Sequence, residues 1–319
     1  MSEDVFFETI IDKATLDNLN LLSADSSLLR ERRILELYDI AAAASRTYDD
    51  IAELELDAYE IISLLSERVV FDGGALHNNP LSENIERLNK SIRFDNEQDK
   101  TVFADLFCSL RESGDNRFSE EQFLQSSPKS NRFTYVKNSY ADEAYDVFSE
   151  SFDNSVVEYA KDFRGCVRAL LDGRCDYCLL PLEERGGARI AGVLELIYSY
   201  DLKIVGVTPV FGQDGALDLK YAMVSRAFLK REYSPDDDRY LEIRLGRDRG
   251  GLSELLFSAE YFGNRLYRVN TLTVRERDSE RAYYSVVFHN GEGDFLRLLT
   301  YLTFFREDFI PVGIYTNLE

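Results

Sequence analysis

Residues 175–197, CDYCLLPLEERGGARIAGVLELI, hold two constellations able to do chemistry. Cys175 and Cys178 have the spacing of paired metal or redox ligands. Glu183 and Glu184, beside Gly186 and Gly187, are a carboxylate pair of the kind used for general acid and base work. A structural zinc site draws a full tetrahedral set of Cys or His ligands. The histidines, His77 and His289, are remote in sequence, and the other cysteines, Cys108 and Cys166, stand alone. A redox pair opens a helix whose N-terminus stabilises the thiolate, whereas Leu179, Leu180 and Pro181 continue this stretch as a strand. The two cysteines therefore read as small buried strand residues, and neither a metal nor a cofactor is expected. Glu183 and Glu184 read as a solvated turn at a strand's end, because surface carboxylates are the default in an acidic chain.

The chain is acidic throughout. Its 319 residues carry a formal net charge of -21, with 45% hydrophobic residues. That charge disfavours nucleic acid and anionic membrane surfaces, which need clustered Lys and Arg. The start, MSEDVFFETIIDK, is acidic where a secretory signal would be basic. No apolar run reaches the roughly 20 residues of a membrane span. These observations predict a cytoplasmic protein with no nucleic-acid or membrane partner.

Three segments with different periods must position the candidate residues. Residues 1–128 read as a helical domain. In 28–45, Leu29, Ile34, Leu37, Tyr38 and Ala41 recur at helical spacing, and in 52–69 so do Leu54, Ala58, Ile61, Ile62 and Leu65. The Gly, Asn and Pro content of 71–84 predicts a loop, with Ser82 capping the next helix. Residues 126–131 read as a linker. From Arg132, RFTYV, DYCLLPLE, LKIVGVTPVF and LKYAMVSRAFL read as strands. ADEAYDVFSESF, CVRALLDG and AGVLELIYSYD read as helices, giving a β-α-α-β-α-β order in 129–233. After a polar break at 234–238, the segment 234–319 has the β-α-β-β-α-β order of a ferredoxin-like unit.

These segments resemble the prephenate dehydratase family. The last third is similar to the ACT domain that follows the dehydratase: Arg249, Gly250, Gly251 and Leu252 match its Pro-Gly-Ala-Leu turn, and Val312, Gly313, Ile314 and Tyr315 its Leu-Gly-Ser-Tyr ending. The middle third resembles the first part of the dehydratase itself. Asn138–Ala144 stand at its Gly-Thr-Phe-Ser motif, and Asp176 through Glu184 at its Asp-x-x-x-x-Pro-Ile-Glu-Asn strand. The departures are equally specific. Only residues 211–218 stand where the family has a whole second lobe, and Leu219, Lys220 and Tyr221 replace its Thr-Arg-Phe. An alignment to Ser225, Arg226 and Phe228 restores the hydroxyl but shifts the strand. The family's phenylalanine-binding Glu-Ser-Arg-Pro is Asn270, Thr271, Leu272 and Thr273 here.

The resemblance implies an α+β and α/β fold. Its parts are an N-terminal helical domain, a truncated periplasmic-binding-protein-like dehydratase lobe and a C-terminal ferredoxin-like ACT domain. It implies ligand contacts at Ser139, Tyr140, Glu183, Lys220, Gly250, Gly251, Leu252, Ser253 and Asn270, with no catalytic residue assigned. The Gly turn at 250–251 serves either a small polar ligand or folding and dimerisation alone. The expected function is a non-catalytic, amino-acid-sensing or regulatory protein linked to aromatic amino-acid synthesis, a homodimer through its ACT-like unit. The alternatives are an active dehydratase, or a bifunctional enzyme whose N-terminal helices form a chorismate mutase around Arg30, Arg32 and Arg33.

Overall fold

The computed structural model describes residues 13–54, 56–67, 80–112, 118–124, 131–212, 215–228, 237–246, 251–276 and 279–318. His77, Gly250, most of the loop at 71–84 and most of the breaks at 126–131 and 234–238 lie outside them.

The N-terminal helices are α1 (Lys13–Ala52), α2 (Ala58–Leu65), α3 (Pro80–Ser91) and α4 (Glu97–Glu112), followed by a 3-10 turn at Glu120–Phe123. α1 buries Leu37, Ala41, Ala44, Tyr48 and Ile51, a seam whose small residues let α4 pack closely. The expected apolar face is thus only half right. Leu29, Ile34 and Tyr38 are 67%, 41% and 45% exposed, because the seam runs through the alanines rather than the larger residues. The helix expected over 52–69 is shorter: Asp57 and Glu60 form a capping box that starts α2 afresh. Ser82 lies inside α3, which begins at Pro80, where a missing N–H costs nothing.

The rest of the described chain is built on one 9-stranded sheet of order β2-β1-β3-β5-β4-β9-β6-β8-β7. Its first half comprises β1 (Arg132–Val136), α5 (Ser139–Ser149), β2 (Val156–Ala160), α6 (Phe163–Leu171), β3 (Tyr177–Glu184), α7 (Ala191–Ser199), β4 (Lys203–Phe211) and β5 (Leu217–Ser225). Asn138 caps α5 through Ala141 N at 2.9 Å, and Asp162 caps α6 through Gly165 N at 2.7 Å. β2, which falls between two expected helices where the sequence suggests no element, is an edge strand parallel to β1. Its mostly exposed side chains, Val156 at 63% and Tyr159 at 51%, give it no apolar alternation to recognise.

The second half comprises β6 (Arg239–Gly246), α8 (Gly251–Tyr261), β7 (Arg265–Glu276), β8 (Ser279–His289), α9 (Phe295–Phe305) and β9 (Phe309–Thr316). Its strand order, β9-β6-β8-β7, and antiparallel pairings are ferredoxin-like, as the sequence predicts. α9, capped by Asp294, is apolar nearly all round, the mark of a helix buried on every side. One side meets the sheet; the other meets the N-terminal helices, with Phe103 and Phe107 edge-on to Phe304 at 5.1 and 5.3 Å. Thr101 Oγ1 and Ser258 Oγ share a buried hydrogen bond of 3.2 Å between α4 and α8. One continuous core therefore joins the N-terminal helices to the ferredoxin-like half. No helix of the described residues is long and apolar enough to cross a membrane.

Candidate functional site

Glu183 stands at the end of β3, where the ladder to β5 shifts register between Pro181 and Glu183. Pro181 has no N–H to donate, and the irregularity sets Glu183 opposite Lys220. The chain then reverses: Gly187 N donates to Glu184 O at 2.9 Å, and Glu184 N to Ala188 O at 2.9 Å. Gly186 and Gly187 have φ of 92° and 84°, values that favour glycine at both positions. This tight turn carries Arg189 back alongside Glu183, with which it forms a bridge.

The second wall is the ferredoxin-like sheet. Along β6 the side chains of Leu241, Ile243 and Leu245 enter the core under α8 and α9. Glu242 alternates to the opposite face. That face is covered by α7 and the turn at 184–190. Arg189 Nη2 donates to Glu242 Oε2 at 2.9 Å, and its Nε lies 3.3 Å from Glu183 Oε1. Arg268 Nη1, from β7, donates to Glu183 Oε1 at 2.7 Å, while Lys220 Nζ is 4.0 Å from Oε2. Ser285 Oγ and Tyr315 OH complete Glu242 at 2.9 and 3.4 Å. The side chains of Arg189 and Glu242 are 4% and 0% exposed. Burial alone would lower the Arg189 pKa, but Glu242, Tyr315 and Glu183 hold it above its ordinary value. Burial raises the Tyr315 hydroxyl, and Glu242 raises it further.

Glu183 is therefore 5% exposed and enclosed by cations, which corrects its reading as a solvated turn residue. Glu184 alone is exposed. The reason is tertiary: Arg268 arrives from another part of the chain. Arg268, Glu242 and Ser285 were not selected from the sequence. Their only sequence signal is a charge in mid-strand, Glu242 between Leu241 and Ile243, which alternation alone assigns to solvent.

The remaining residues implied by the resemblance do not converge. Ser139 and Tyr140 open α5; Tyr140 OH donates to Asp218 Oδ2 at 3.1 Å, and Arg185 lies 3.5 Å from the other oxygen of Asp218. Asn270 sits opposite Ser285 on the Glu242 face, its Nδ2 buried without a hydrogen-bond partner. Gly251, Leu252 and Ser253 begin α8, across the sheet from Asn270. Arg33 is taken up by Asp99, at 2.7 and 2.9 Å, and Arg32 lies 3.4 Å from Glu36. Cys175 and Cys178 are buried beside β1 and α6; burial pushes Cys175 up to about 12 and Cys178 well above its usual range. Such thiols are poor nucleophiles.

No protein-family model and no curated protein matches the chain. Among solved structures it is similar to prephenate dehydratase from Streptococcus mutans, with a TM-score of 0.48 and 12% identity, covering 60% of this chain and 100% of that one. It is also similar to GqqA, described as a novel type of quorum quenching acylase, with a TM-score of 0.44 and 21% identity over 58% of this chain and 95% of that one. A third is prephenate dehydratase in complex with L-Phe from Arthrobacter aurescens, with a TM-score of 0.43 and 11% identity over 58% and 89%. The likeness is one of fold.

Proposed function

We propose that this protein is a non-catalytic, ligand-sensing or regulatory member of the prephenate-dehydratase type, linked to aromatic amino-acid synthesis, and that its ACT-like unit mediates dimerisation. The observation that supports this most is the direct antiparallel pairing of β4 with β5. Only five residues separate β4 from β5, and at their ends Gly212 N donates to Ala216 O at 2.8 Å. There is no room in that connection for an opposing lobe.

Dehydration of prephenate asks for cationic anchors for two carboxylates and a proton donor to the leaving hydroxyl, in a water-poor cleft. Lys220 faces Glu183 rather than an opposing wall, and Glu183 is engaged by Arg189 and Arg268. Purified protein is expected to leave prephenate unconverted; turnover at a dehydratase-like rate would overturn the reading. A thermal-shift screen with the twenty amino acids, prephenate and chorismate checks the sensing role, since a ligand bound only by the folded state raises the melting temperature.

A further inference from the structure

The two halves of the sheet meet along β4 and β9. β4 and β9 are in register at Ile204 and Gly313, and nearer their starts Lys203 Nζ reaches across to Pro311 O at 3.0 Å. A cleft of about 550 Å³ opens there, within the roughly 300–1,000 Å³ of small-molecule sites. The N-terminal helices, the base of β4 and β5, and the α9–β9 corner all contribute to its walls.

Its charges are unevenly committed. Asp57 accepts from Glu60 N at 2.9 Å as the cap of α2, and Asp201 accepts from Lys203 at 2.7 Å. Arg306 is held by Glu254 at 2.9 Å and Asp308 at 3.0 Å. Lys203 spends its ammonium on Asp201 and Pro311 O and, having three N–H donors, keeps one. Arg226 is exposed, and no carboxylate among the described residues engages it. Phe228 lies under Lys203, with the ammonium 5.4 Å from the ring centroid. Burial holds Lys203 below its usual range against the pull of Asp201, the condition in which an added anion gains most. Exposed Glu307 at the rim opposes a second negative charge.

We propose that this cleft binds a small monocarboxylate with a flat apolar body, its head group on Lys203 and Arg226 and its body against Phe228, Phe309 and Pro311. This rests on the reading of the chain as a small-molecule binder, and it places the ligand away from Glu183.

Calorimetric titration of the full chain tests it with 3-phenylpropionate, the uncharged 3-phenylpropan-1-ol and the dianion benzylsuccinate. The monoanion is expected to bind, with the alcohol and the dianion each about tenfold weaker. Arg226→Gln is expected to weaken the monoanion about tenfold with an unchanged melting temperature, because the exposed side chain supports no contact in the fold. Lys220→Gln, in the Glu183 cluster, leaves binding unaltered. No heat from 3-phenylpropionate at about 10 mM overturns the cleft proposal, while the sensing role is judged by its own ligand screen. Binding lost in Lys220→Gln but kept in Arg226→Gln overturns the location and leaves small-molecule binding standing.

Discussion

Arg189 lies between Glu183 and Glu242, and removing it leaves two buried carboxylates without their bridge. Breaking a buried pair by deleting one partner costs about 3–5 kcal/mol. Arg189→Met is expected to lower the urea stability by that order, and adding Glu242→Gln to recover part of it; an Arg189→Met protein of wild-type stability would show the cluster to be energetically idle. Cys108 gives a pH signature. Burial pushes its thiol from 9.0 up to about 12, so above pH 9 the unfolded chain releases a proton that the folded chain keeps. Stability present below pH 9 is then lost as pH rises toward 12, by about 1.4 kcal/mol per pH unit from this thiol. Urea midpoints between pH 8 and 10 should fall less steeply in Cys108→Ala. At this scale, residue types were readable in the sequence but partners were not. Glu183 and Arg189 are close in sequence, and the Gly-Gly turn between them was legible; Arg268 was not, because its approach depends on how the two halves of the sheet meet.

Among the elements, α2 owes its start to Asp57, whose side chain accepts from Glu60 N. Asp57→Ala is expected to cost about 1 kcal/mol, measured as a shift in the chemical-denaturation midpoint. β9 depends on Gly313. A Cβ there would lie 3.0 Å from Ile204 Cβ and 2.9 Å from Tyr315 Cδ1, where β4 and β9 are paired. Gly313→Ala should therefore destabilise by about 1–3 kcal/mol, and equal stability in the two proteins would mean that the sheet halves slide apart freely. Strongly patterned elements were legible: α9 from its unbroken apolar character, and β6 to β9 from their order. β2 and the true face of α1 were not. An exposed edge strand lacks periodicity, and an alanine seam is decided by the neighbour that packs against it.

For the molecule as a whole, the N-terminal helices and the ferredoxin-like half share one hydrophobic cluster, from Leu37 and Phe107 through Leu299 to Ile314. A shared core predicts a single cooperative transition for these parts. Residues 131–319 alone would bare the face of α9 that carries Phe304 and are expected to bind a hydrophobic dye or aggregate, whereas a well-folded, dye-silent fragment would refute the dependence. The helices lie against α8 and α9 rather than across the open side of the first half, beside Tyr140 and Phe211. Where they approach β4 and β5 they border the cleft of Lys203, Arg226 and Phe228, whereas the cations around Glu183 come from the turn after β3, from β5 and from β7.

The sequence by itself determined the strands with regular alternation, the ferredoxin-like order, the short β4–β5 connection and the Gly-Gly turn, because each is written in local periodicity, loop length or backbone conformation. Only the tertiary structure decided that Glu183 is buried, that Glu242 faces α7 and not water, and that Lys203 and Arg226 border a cleft with Phe228 and Phe309. Alternation tells which residues share a face of a strand; what covers that face is set by parts of the chain far away in sequence, and it is the covering that turns a surface charge into a buried ion pair.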